Sequence, residues 1–273
     1  MNRLGIEMLT LLGMPPVDYV RLAGELGCAS VSTGLTGLPL AMFGITDFAP
    51  WPMWSLIDDA ALRRDFRAAL TDSGVQIGLA EGFRARSDAE AAASAPAMDL
   101  FADLGAGRLN ASCTEEDRAR AFDQLGELAE MAAARGMTFT VEFVPGSQIG
   151  SLGDVLELIA HIGEGKCFAL IDSMHFFRSG GTLAQLRALD PAVIGYVQLC
   201  DAPHTGEGPY FMEAMFARRV PGTGDLPLAE FVAALPAAVP ISVEVPILAD
   251  LRAGLPPRDH AARVVAAARA IGA

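Results

Sequence analysis

Short apolar runs alternate with amphipathic segments along the whole chain. Residues 4–10, 29–33, 75–80, 108–112, 138–142, 167–172, 194–199 and 241–245 read as strands. The segments between them read as helices over 16–26, 58–72, 87–104, 114–135, 152–163, 182–189, 227–235 and 257–271. Pro16 stands where a first helical residue is expected, and Thr114 with Asp117 forms a capping box of the Thr-x-x-Asp kind. Strands that alternate with helices imply a parallel sheet. Eight such units in 273 residues predict one (β/α)8 TIM barrel spanning 1–273. The runner-up is a doubly wound open sheet, which would be shorter or carry a glycine fingerprint after its first strand. The stretch from Thr10 to Met14 is not one. No linker or low-complexity segment divides the chain.

Composition narrows the class of partner. The chain is 52% hydrophobic, enough for a sizeable core, and carries a net charge of −13. An acidic surface argues against nucleic acid or an anionic membrane as partner. No uncharged apolar run is long enough to span a bilayer. Glu7 interrupts the only stretch that looks like a signal peptide, and no small-residue cleavage site follows it. The expected setting is therefore cytoplasmic, with a small-molecule substrate. Cys28, Cys113, Cys167 and Cys200 are widely spaced, each in or beside an apolar run, and read as buried free thiols.

The ends of the last four strands change the picture. They carry Glu142, Asp172, Gln198 and Glu244. In a barrel of this kind the active site is built at the carboxyl ends of the strands. Side chains alternate along a strand, so Glu142 pointing inward takes Thr140 and Thr138 with it, and Glu244 takes Ser242. Three carboxylates and a carboxamide at one height need a cation. The donors are hard oxygens, which favours one divalent cation, Mn²⁺ or Mg²⁺, over zinc.

These residues carry a resemblance. The stretches VEFVP, IDSMH, VQLCD, RRVPGTG and VEVP resemble the motifs of the xylose isomerase-like barrels, the sugar phosphate isomerases and epimerases, over essentially the whole chain. The resemblance implies Glu142, Asp172, Gln198 and Glu244 as metal ligands, His175 as the histidine of D-x-x-H, and Arg218 as a substrate-binding arginine. Gln198 stands where many members have histidine, and Thr223 where PGEG is common. The glutamine variant is similar to 3-dehydroshikimate dehydratases, which resemble one another in further histidines on earlier strands. Here the only histidines are His161, His175, His204 and His260, and Glu81 is the nearest substitute.

The expected chemistry is proton transfer next to a carbonyl. A cation holding a ketose by its carbonyl and neighbouring hydroxyl favours an enediolate. Glu142 and Glu244 are the candidate acid/bases, and metal contact is expected to lower their pKa. With a β-leaving group the same intermediate would lose water, with His175 as acid. Otherwise His175 orients Asp172 or the substrate. Arg218 or Arg219 is expected to hold a polar group of the substrate, and Glu81 to face it. The apolar loop over 38–54, with Trp51 and Trp54, is expected either to cap the substrate or to bury a homo-oligomer contact. His161 and His260 are expected on outer helices, structural or solvated, and His204 in a solvent-facing loop. Two rivals remain. One is a barrel endonuclease, which needs more histidines and a basic groove. The other is a non-catalytic metal- or ligand-binding barrel.

Overall fold

The computed structural model describes residues 2–273. Eight parallel strands close into a barrel in sequence order. They are β1 (Leu4–Ile6), β2 (Ser30–Thr33), β3 (Gln76–Ala85), β4 (Arg108–Cys113), β5 (Thr138–Glu142), β6 (Phe168–Asp172), β7 (Ile194–Leu199) and β8 (Ile241–Val243). Around them run α1 (Pro16–Glu25), α2 (Ala60–Ser73), α3 (Ala95–Asp103), α4 (Arg118–Ala133) and α5 (Leu152–Ile162). After β6 come α6 (Ser173–Arg178) and α7 (Leu183–Ala188). The helices α8 (Tyr210–Phe216), α9 (Leu228–Ala234), α10 (Leu248–Arg252) and α11 (Pro257–Ala270) complete the ring. The expected single-domain TIM barrel is the observed one.

The pleat sorts the residues into layers. Side chains facing outward from the strands join the helices in one large apolar core. A second, small cluster of Leu79, Leu170 and Tyr196 is separate from it. Each of these three lies two residues before a polar residue of the barrel mouth: Glu81, Asp172 and Gln198. Alternation therefore puts an apolar interior layer directly beneath a polar one.

Local differences from the sequence-based elements have local causes. The first strand stops at Ile6, because Met8–Leu11 turns into a 3-10 helix. The helix expected from Thr114 begins at Arg118. Its cap is Asp117, whose side chain accepts from the Arg120 N–H, so the Thr114 capping box does not form. The segment 87–104 divides into a 3-10 turn over Ala91–Ser94 and then α3, with proline in the first turn of the helix. Ser151 and Asp172 cap α5 and α6 through their side chains.

All four cysteines are buried and free. Burial pushes the thiols of Cys167 and Cys200 up to about 12, so they stay protonated and inert. His260, on α11, is fully buried, with Nε2 2.8 Å from the Val245 carbonyl. Burial lowers its pKa, which keeps it neutral and structural. His161 is exposed and lies edge-on to Phe122, while His204 is exposed in the loop after β7. No helix among the described residues is long and apolar enough to cross a membrane.

Candidate active site

Seven of the eight strands deliver an acid or amide side chain to the carboxyl-end mouth. They are Glu7 just past β1, Glu81 on β3, Asn110 on β4, Glu142, Asp172, Gln198, and Glu244 just past β8. Asp172 and Gln198 are direct register partners. Glu142 pairs instead with Leu170, and Gln198 with Ser242. The four strand-end residues thus step by two positions at β5–β6 and at β7–β8, as the stagger of a closed barrel requires.

Hydrogen bonds join the set into one network. Asn110 Nδ2 donates to Glu81 Oε2 and to Glu142 Oε2, both at 3.3 Å. Gln198 Nε2 faces three carboxylates at once: Glu7 Oε2 at 3.4 Å, Glu244 Oε1 at 3.4 Å and Glu81 Oε1 at 3.5 Å. The Tyr196 hydroxyl donates to Glu7 Oε1 at 3.0 Å from the layer below. On the other side, His175 places Nε2 3.3 Å from Glu142 Oε1 and Nδ1 2.5 Å from the Tyr210 hydroxyl. Sequence reasoning singled out Glu142, Asp172, Gln198, Glu244, His175, Arg218 and Glu81, and the structure brings all seven into this network.

Arg218 is the decisive placement. Its guanidinium is buried between two of the acids. Nη1 pairs with Asp172 Oδ2, and Nη2 lies 2.9 Å from Glu244 Oε2. Nε donates to the Ala214 carbonyl at 2.7 Å, and Nη1 also lies 3.2 Å from the Cys200 sulfur. The chain folds this way because of Asp201, the last residue of VQLCD. Its carboxylate accepts from the N–H groups of Gly222 (2.8 Å) and Leu226 (3.1 Å). Backbone bonds in both directions tie Asp201 to Arg219. A Cβ at Gly224 would collide with Asp201 Oδ1, so the PGTG turn needs glycine there to close on the carboxylate. Arg219 points elsewhere and pairs with exposed Glu207.

Charge in the network is unequally shared. Five carboxylates meet one guanidinium and one imidazole. Burial raises the pKa of Asp172, but the Arg218 guanidinium and then His175 outweigh it and hold this acid below its ordinary value. Burial pushes Glu81 and Glu244 well up, and neighbouring carboxylates add to it. Burial also raises Glu7, against its hydrogen bonds. The direction at Glu244 is the one without an ion, where the metal contact expected to lower it is absent.

The donor set fits a hard divalent cation in charge and in atom type. Gln198 Oε1 is buried with no hydrogen-bond partner among the described residues, which leaves one neutral oxygen donor unused. The arrangement is not a ready-made cage. Among the described residues no group of three or more His, Cys, Asp and Glu converges as metal ligands. The guanidinium lies between Asp172 and Glu244, and Gln198 turns its NH2 to the acids. Both would have to shift for the four expected ligands to share one ion.

The tryptophans take a different place. Trp51 Nε1 donates to the Leu11 carbonyl at 2.8 Å, and Trp54 Nε1 to the Gly13 carbonyl at 2.9 Å. Neither indole bonds to an acid of the network; both fasten the loop over 38–54 to the turn after β1. Within that loop, Leu40 and Ile45 join Leu12, Phe216, Leu248 and Leu251 in a cluster of their own. Phe43 meets Phe211 in a tilted contact at 5.9 Å and Phe216 edge-on at 5.6 Å, both on α8.

Sequence reasoning missed Glu7, Asn110 and Tyr210. Glu7 interrupts an apolar run two residues past Gly5, in phase with a barrel interior, and that signal was available. Asn110 and Tyr210 carry no comparable signal.

Comparison with solved structures finds the same fold at low identity. The IolI protein with a bound zinc atom matches at TM-score 0.75 and 16% identity, over 98% of this chain and 96% of that one. D-psicose 3-epimerase from Clostridium cellulolyticum H10, solved with D-tagatose, matches at TM-score 0.73 and 12% identity, over 98% and 99%. The probable 3-DHS dehydratase AsbF of petrobactin synthesis in Bacillus anthracis matches at TM-score 0.68 and 12% identity, over 96% and 98%. A xylose isomerase-like TIM barrel/4-hydroxyphenylpyruvate dioxygenase fusion protein matches at TM-score 0.74 and 20% identity. There the chain spans only 42% of its relative. No functionally curated protein matches the chain. The family model described as xylose isomerase-like TIM barrel matches residues 20–268. The chain therefore belongs to the xylose isomerase-like TIM barrel family.

Proposed function

We propose that the chain is a divalent-cation-dependent isomerase or epimerase of a sugar or related hydroxy-carbonyl compound, acting through an enediolate. The observation that carries this reading is the network of five carboxylates at the barrel mouth, delivered by five different strands and matched by one buried guanidinium. Such a surplus is costly for a purely structural core and suits a site that moves protons at a cation.

Glu142, Asp172, Gln198 and Glu244 would hold the ion, Mn²⁺ or Mg²⁺, once Arg218 releases Asp172 and Glu244. Bound there, it would polarise a carbonyl and its neighbouring hydroxyl. Glu142 then takes a proton from the carbon between them, held in place by Asn110 and His175. Glu244, three strands further round the barrel and ionised beside the ion, would take the proton of the neighbouring hydroxyl and deliver it to the opposite face of that carbon, while Glu142 gives its own proton to the hydroxyl oxygen. Arg218, freed from its carboxylates, binds a substrate oxygen. Trp51 and Trp54 hold the loop over 38–54 beside the mouth and leave its apolar side chains to exclude water.

Cation uptake has a proton signature. Glu81 and Glu244 carry raised pKa values, so an ion that needs ionised carboxylates must displace protons. Affinity for Mn²⁺ is expected to rise with pH, with protons released on binding. Calorimetry in buffers of different ionisation enthalpy measures this release; a proton count of zero at every pH would contradict it.

The reaction itself is tested in D₂O with a panel of ketoses and with dehydroshikimate. Deuterium entering a ketose next to its carbonyl supports the proposal. Ultraviolet absorbance growing on dehydroshikimate, without exchange into any ketose, would replace it with a dehydratase. A protein that binds the ion and does neither is a binding barrel.

A further inference from the structure

We infer that the cavity at the amino-terminal end of the barrel, beside the first residues of β3 and β4, is a second binding site, for a small molecule whose phosphate or carboxylate group is held by Arg108. The cavity measures about 580 Å³, within the range of small-molecule sites. Its walls are the last turns of α2 and α3 and the starts of the two strands, with Thr71, Gly74, Gln76, Gly105, Gly107 and Arg108 among them. It therefore lies at the opposite end of the barrel from the acidic mouth. Arg108 is the one charged residue among the described residues that line it.

The guanidinium has no anion of its own. Arg108 lies two residues before Asn110 on β4 and shares its inward phase. Its charge rests over the Tyr196 ring, 5.5 Å from the centroid. Nη1 donates to the Gly78 carbonyl at 3.2 Å. Nε is buried with no hydrogen-bond partner, while Nη2 bonds to no described residue and is not sealed from solvent. No acid among the described residues pairs with this side chain; Asp103, at the end of α3, pairs with Arg67 instead. Burial lowers the Arg108 pKa, and no carboxylate is among the charges that act against this. The helix ends nearby supply no full charge either, since the Thr71, Ala102 and Phe101 carbonyls are taken by the N–H groups of Gly74, Gly105 and Ala106. A partly buried cation without a counter-ion is costly, and an entering anion offsets that cost. The free Nε–Nη2 edge is the side on which a guanidinium holds a carboxylate or phosphate through two parallel bonds, and Nη2 is the way in.

Titration with inorganic phosphate, and separately with acetate, tests the site at constant ionic strength and with no added divalent ion. Calorimetry gives the affinity, and the ¹H–¹⁵N signal of the Arg108 Nε–H reports the place. Arg108→Met identifies that signal by its loss. The wild type is expected to bind at least one of the two anions saturably, with the Arg108 signal shifting along the same curve. Loss of the charge-assisted hydrogen bonds in Arg108→Met is expected to weaken binding at least about tenfold. Gly107→Leu keeps Arg108 and fills the cavity, since a Cβ at Gly107 meets no atom within 4 Å. It is expected to lose the binding as well. No saturable binding of either anion overturns the inference, and so does equal affinity in wild type and Arg108→Met. An anion that binds at Arg218 instead gives that second result, because Arg218 is present in every protein compared. Gly107→Leu decides alone if Arg108→Met does not fold, with unchanged affinity as the overturning result. The reaction at the mouth enters neither readout, so failure of the functional proposal leaves this one standing.

Discussion

Replacing Arg218 with methionine is expected to destabilise the metal-free protein by about 3–5 kcal/mol. The side chain keeps most of its length and loses its charge. Asp172 and Glu244 are then left buried without their guanidinium, and removing one partner of a buried ion pair costs far more than a surface pair ever contributes. Asp172 cannot turn to water, since it is fully buried and also caps α6. Denaturant unfolding in the presence of a chelator measures the loss. Mn²⁺ at about a hundred times the variant's Kd is expected to stabilise the variant by about 2.7 kcal/mol, and the wild type by less at the same concentration. The reason is that the ion no longer competes with a guanidinium for the same two carboxylates. Equal stabilisation of both proteins would mean that the ion binds elsewhere and that Arg218 does not guard its place.

Glu142→Gln is expected to act on rate rather than stability. Proton transfer by a positioned side chain contributes about 10²–10⁴-fold, and a carboxamide cannot perform it. Exchange of substrate carbon hydrogen with D₂O is expected to fall by at least about 100-fold, with KM changing far less. Glutamine has the shape of glutamate and Glu142 is only partly buried, so unfolding is expected to shift by less than about 1 kcal/mol. The two variants therefore separate the roles of two neighbours. A Glu142→Gln protein with full exchange activity would remove Glu142 from the chemistry, whatever Arg218→Met does to the fold.

The barrel and its acidic mouth were largely legible in the residues. The period-2 and period-3.6 patterns alternate eight times, and the strand-end acids stand out because a buried strand has no other use for a carboxylate. Glu142, Asp172, Gln198 and Glu244 come from strands whose inward phase can be counted. What was not legible depends on short elements. The helices α6, α8 and α10 have 6, 7 and 5 residues, too few for a helical period to rise above chance. Tyr210 sits on one of them, so its meeting with His175, 35 positions away, had no local sign. Asn110 sits in the middle of RLNASC, where one amide in a strand is unremarkable. The tryptophans were read as contact residues because they lie in an apolar loop at the right end. Which way an indole N–H points depends on carbonyls 40 residues away.

By itself, then, the sequence determined the number of strands, their parallel order, the inward phase of each and the oxygen donors at their ends, because these follow from periodicities of a few residues. The tertiary structure alone decided who neutralises those donors. Register stagger offsets Glu142 from Asp172 and Gln198 from Glu244 by two positions, and Asp201 with its glycine turn swings Arg218 in between Asp172 and Glu244. Charge balance in a buried site is a property of everything that surrounds it, and no local pattern encodes it.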